Sequence, residues 1–149
     1  MPSGGHAHSG PPPTEGSRTS ERKGYSLSAL PPSGYADEVP DLLAFLPDAT
    51  SRHSTIWAQL WTTPQACAWS LESWRWPTVA SLVMWIARSE DADAAASIAS
   101  NVRQLRDDLG LSRAGLAHNG WKIAEPKKDD AEEVASNVTD IKSRLPGGA

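Results

Sequence analysis

A chain of 149 residues has room for one domain with tails, and a net charge of −4 with 21% charged residues excludes a nucleic-acid-binding polycation. Any DNA contact would have to come from a local basic face, because phosphate weakly repels the chain as a whole. The one cysteine, Cys67, excludes an internal disulfide and suits a reducing compartment.

The opening MPSGGHAHSGPPP has neither a positive head nor an apolar stretch, so it does not read as a signal peptide. Half of residues 1–40 are Gly, Pro or Ser, too little apolar surface to offset chain entropy. Residues 1–47 are therefore expected to form a flexible, disordered arm, which Tyr25, Leu27, Leu30 and Tyr35 could still pin to the domain or to a neighbour. The His6–His8 pair lies in this tract and lacks the further ligands that a zinc site needs.

The folded unit is expected over 48–124, which contains all seven tryptophans. Thr50 is a candidate N-cap, with Ile56, Trp57, Leu60 and Trp61 following at helical spacing. That helix should stop near Thr62, because Pro64 disfavours the α region at Thr63. Thr63 then caps a second helix with Pro64 in its first turn, where a missing N–H costs nothing. A third helix opens at Trp76-Pro77, and Val79, Leu82, Val83 and Ile86 form its apolar stripe. A fourth begins near Asp93, its acids facing the positive end of the macrodipole. Ile98, Val102, Leu105 and Leu109 line one side, and Gly110 is a natural C′ residue. Ser112 caps a short fifth helix that ends near Asn119-Gly120, after which Trp121 and Ile123 can fold back. An acidic tail over 125–149 carries Val134, Val138, Ile141 and Leu145 at the spacing of an amphipathic helix, 130–145.

The fold class is thus expected to be all-α, with about five short helices, a disordered N-terminal arm and a C-terminal tail helix. Trp57, Trp61, Trp69, Trp85, Leu105, Leu109 and Trp121 are the expected core, since buried aromatics dominate small interiors. The longest apolar run, residues 82–87, is far below the roughly 18 residues of a membrane span. A soluble, cytoplasmic protein with no membrane partner is expected.

No P-loop signature occurs, and Cys67 has no basic sequence neighbour to lower its pKa. Asp91/Asp93 and Asp107/Asp108 read as helix-start and solvated-face acids. No catalytic constellation, metal set or cofactor motif emerges, so the expectation is not an enzyme. The most suggestive stretch is NVRQLRDDLGLSRAGLAHNGW, residues 101–121, where two helices meet at a glycine turn as in a helix-turn-helix. Arg103, Arg106, Arg113, His118 and Asn119 in this stretch, and Lys122 just after it, are the candidate DNA contacts.

Several of these stretches resemble one family. WAQLWTTPQACAW is similar to the W-x-x-L-W-x-x-P-Q-A-x-x-W segment of small terminase subunits from tailed phages of actinobacteria. VRQLRDDLGLSRAGL resembles that family's R-Q-L-x-D-x-L-G-L-[ST] segment, Trp121-Lys122-Ile123 its closing W-x-I, and MPSGGHAHSGPPP its arm. The resemblance implies a non-catalytic component of genome packaging in the bacterial host cytoplasm. Such a subunit forms a cyclic homo-oligomer, recognises double-stranded viral DNA, and regulates a large terminase subunit that carries the ATPase and nuclease. The chain departs from the pattern at Ala117-His118-Asn119-Gly120, where relatives often carry arginines. The residues leave two alternatives open: a protein–protein adaptor without DNA binding, and a small dimeric helix-turn-helix repressor.

Overall fold

The computed structural model describes residues 14–22 and 24–126. The expected tail helix over 130–145 and the His6–His8 pair lie outside the described residues. Six α-helices are present among those described: α1 (Arg18–Arg22), α2 (Ser51–Leu60), α3 (Pro64–Leu71), α4 (Trp76–Ser89), α5 (Ala96–Asp108) and α6 (Arg113–His118). Short 3₁₀ turns cover Leu42–Ala44 and Ser73–Arg75. None of these helices is long and apolar enough to cross a membrane.

Local chemistry accounts for most of the helix ends. At the start of α2, the His53 N–H donates to Thr50 Oγ1 at 3.4 Å and the Thr50 N–H donates to His53 Nδ1 at 2.9 Å. This is a capping box in which histidine takes the place usual for glutamate. Pro64 does stop α2 and start α3, but Thr63 does not cap by its side chain. Its hydroxyl instead donates back to the Leu60 carbonyl at 2.7 Å, closing the end of α2. The fourth helix, α5, starts at Ala96 rather than near Asp93, and the acids stand just ahead of it.

The molecule is mostly helical but not all-α. Two three-residue strands, β1 (Ser28–Leu30) and β2 (Trp121–Ile123), pair in parallel with Ser28 opposite Trp121 and Leu30 opposite Ile123. Ser28 N–H to Gly120 O and Ala124 N–H to Leu30 O, both 2.8 Å, extend the pairing. Strands this short carry no two-residue period, so only tertiary contact reveals them.

The core centres on Trp61, which is 1% exposed. Its ring meets Tyr35 and Trp57 at 5.5 Å, Trp69 at 5.9 Å and Trp76 at 6.1 Å. The last two pairs are nearly perpendicular, an arrangement in which each aromatic pair adds about 0.5–1.5 kcal/mol beyond area burial. Val79, Leu82 and Val83 of α4 are fully buried beside this cluster, and Ile86 packs on its edge. Trp57, Trp61, Trp69, Leu109 and Trp121 are buried as expected, while Leu105 packs partly buried at the margin.

Two features of the core differ from expectation. Trp85 is not part of it: the inward side of α4 is taken by Val79, Leu82, Val83 and Ile86. The Trp85 ring is left half-exposed, with the Arg88 guanidinium 5.7 Å from its centroid. The core also reaches into residues assigned to the arm. Leu30 and Leu42 are buried, Tyr35 and Phe45 pack against them, and the Trp57 indole N–H donates to Pro40 O at 2.9 Å. Leu30 and Tyr35 are among the anchors expected from the sequence, whereas Leu42 and Phe45 are not, because a proline-rich segment has no apolar periodicity to single them out.

Candidate functional site

The helix–turn–helix of α5 and α6 is built from a glycine and two caps. Helix α5 ends in a Schellman motif: Leu111 N–H donates to Arg106 O at 2.8 Å and Gly110 N–H to Asp107 O at 3.1 Å. Gly110 takes φ +77°, and a Cβ there would lie 2.6 Å from Cζ3 of Trp121. Two reasons therefore demand glycine: the left-handed backbone and the indole ring packed against it. At the start of α6, Ser112 Oγ accepts from the Gly115 N–H at 2.9 Å while donating to the Asp107 carboxylate. Gly115 lets the two helices touch, because a Cβ on it would sit 2.3 Å from the Asp107 carbonyl oxygen.

Helix α3 holds this turn from inside. Gln65 Nε2 donates to Gly110 O at 2.9 Å, and Trp69 Nε1 donates to Leu109 O at 3.1 Å. Gln65 and Trp69 are both buried, so these two bonds satisfy turn carbonyls that water cannot reach. The glutamine and tryptophan of PQACAW and the Leu-Gly of DLGLS thus form one joint between segments about forty residues apart.

The outer side of the joint is an open cleft of about 500 Å³ where the end of α5 passes the start of α4. Trp74, Arg75, Gln104, Asp107, Asp108 and His118 are among the residues that line it. The Arg75 guanidinium lies 4.4 Å from the Trp74 ring centroid and 4.9 Å from that of Trp121. It pairs with Glu72, and its Nη1 donates to Asp108 O at 3.2 Å. Trp74 is 68% exposed, although a tryptophan normally buries most of its surface. Neither Trp74 nor Arg75 was among the expected site residues. The only sequence signal was the ESWRWP corner between two helices.

The six expected DNA contacts fall into three groups. Arg103, Arg106, Arg113 and His118 are exposed. Asn119 is committed to structure: its side-chain amide donates to Gly115 O at 2.8 Å and to Asp108 O at 3.2 Å, closing α6 onto α5. Lys122, at the centre of β2, pairs with Glu15 of the arm at 2.7 Å. The same carboxylate accepts the Leu27 N–H at 3.2 Å, and its pKa is lowered, first by the Lys122 hydrogen bond and then by that of Leu27.

Burial pushes the Cys67 thiol up from its ordinary pKa, away from the thiolate form that a nucleophile requires. Among the described residues, no group of three or more His, Cys, Asp or Glu is placed to hold a metal ion. Comparison with protein-family models, with curated proteins and with solved structures finds no match to this chain.

Proposed function

We propose that this protein is a small terminase subunit: a non-catalytic ring that recognises double-stranded viral DNA and regulates a separate large ATPase–nuclease during genome packaging. The observation that carries the reading is the joint itself. The two stretches that resemble the family, PQACAW and LRDDLGLS, bond to each other through Gln65 and Trp69, so they act as one structural unit. That unit presents a helix–turn–helix whose outer arginines point to solvent.

Arg103 and Arg113 are exposed, with no ion pair among the described residues, and supply the phosphate contacts. Arg106 shares that exposure and lies on the flank of α5 suited to contact with a second copy. Asn119 and Lys122 are already engaged within the chain. Helix α6 has six residues, about 9 Å long, which is short for a recognition helix that reads bases alone. A ring offsets the weakness of each patch by repeating it, and the repeated contacts add by avidity.

The test is a mobility-shift titration on double-stranded DNA from about 50 to 200 mM salt. The parent is expected to retard DNA at the low end. An Arg103→Ala/Arg113→Ala variant should bind more weakly and lower the salt slope by up to about two. The acidic balance of the chain, a net charge of −4, favours the adaptor as second reading, and absence of retardation at low salt would select it.

A further inference from the structure

The corner between α3 and α4 exposes two large apolar side chains three residues apart, Leu71 at 87% and Trp74 at 68%. Single exposed hydrophobics are ordinary, but a tryptophan this bare beside a cleft is the usual anchor of a protein contact. Its surroundings say which chemistry would cover it. One base of the cleft, Arg75, is already paired with Glu72. Asp107 is held by the Ser112 hydroxyl. The Asp108 carboxylate has no hydrogen bond or ion pair among the described residues. It stands at the C-terminal end of α5, where the helix dipole is already negative and an acid is disfavoured. No local capping role accounts for it. A cation seated against Asp108 and the exposed Trp74 ring would offset that cost.

The chain carries a matching group. Arg106 is exposed and is absent from every ion pair among the described residues. It lies two residues from Asp108, about 200° around the helix, so the two flank opposite sides of the face that Val102 and Leu105 turn inward. A contact between unlike patches of identical chains is heterologous and propagates head to tail, closing as a ring when the rotation allows.

We propose that the Trp74–Asp108 cleft of one copy receives Arg106 of the next, with Leu71 and Trp74 supplying the apolar part of the interface. This rests on the ring in the proposed function and names the surface that builds it.

The test measures mass by light scattering and native mass spectrometry on the full chain, over a range of concentrations. The parent is expected to assemble. Asp108→Arg leaves two basic flanks and Arg106→Asp leaves two acidic ones, so each alone should raise the apparent dissociation constant by about tenfold or more. An equimolar mixture of these two variants should reassemble as an alternating oligomer, because every junction again joins opposite charges. Trp74→Ala should weaken assembly with its far-ultraviolet circular dichroism unchanged. Assembly of both charge variants at parental concentrations overturns the contact and leaves the ring reading standing. A mixture that stays dissociated overturns the pairing of Arg106 with Asp108. A parent that is monomeric throughout removes both the contact and the ring, while DNA retardation then reports on the rest of the proposed function separately.

Discussion

Replacing Trp69 by phenylalanine tests whether the α3 joint holds the helix–turn–helix in place. Trp69 is fully buried, and its indole N–H donates to Leu109 O at 3.1 Å. Phenylalanine keeps an aromatic ring in the cluster but removes that donor. Depriving a buried carbonyl of its donor costs about 1–3 kcal/mol. The smaller ring also leaves a void of about 40 Å³, which at ~24 cal/mol per Å³ adds about 1 kcal/mol. Trp69→Phe should therefore destabilise by about 2–4 kcal/mol. Trp61 provides the control: it is as deeply buried, yet its Nε1 has no hydrogen-bond partner among the described residues. Trp61→Phe should cost only the void and a little ring contact, about 1–2 kcal/mol. Urea unfolding followed by far-ultraviolet circular dichroism measures both, read as shifts in midpoint at equal m-value. Hydrogen exchange at the Gly110 and Leu111 amides should accelerate in Trp69→Phe before global unfolding and stay unchanged in Trp61→Phe. If Trp61→Phe costs as much as Trp69→Phe, ring packing and not the bond to the turn is what matters, and the joint loses its assigned role.

Two further outcomes follow from the same geometry, beside the DNA and assembly tests above. Gly115→Ala places a methyl group 2.3 Å from the Asp107 carbonyl oxygen and must push α6 off α5, so a loss of roughly 2 kcal/mol or more is expected in thermal melts. The Glu15 carboxylate, with its pKa lowered by Lys122 and Leu27, holds the arm to β2 above the ordinary carboxylate range. Because its folded pKa lies below the unfolded one, that contribution is complete above about pH 4.5 and disappears as pH falls through the lowered value. The protection of the Leu27 amide, taken relative to its intrinsic exchange rate, should fall over that interval in the parent and lose this pH dependence in Glu15→Gln.

The positions of α2 to α6 were legible because their signals are local, whereas α1 falls in the stretch expected to be a disordered arm. Thr50, Pro64, Pro77, Gly110 and Ser112 mark helix ends through bonds or steric limits that reach no more than five residues. The stripe on α4 likewise declares its inward side, and Trp85 lies off that stripe, so its angle on the helix, not its size, sets its exposure. The candidate site was legible in part: the turn and its arginines stood out, while Trp74 and Arg75 did not, since nothing in ESWRWP says that α5 will end beside it.

What the sequence determined alone was a set of short helices and the corners between them, because backbone sterics and capping act within a turn. What only the tertiary structure decided was which distant groups meet. The pairing of residues 28–30 with 121–123, the burial of Leu42, and the bonds from Gln65 and Trp69 to the 109–110 turn join segments tens of residues apart. Such contacts depend on shape and on unsatisfied polar groups that exist only after the helices have packed, and no local pattern encodes them.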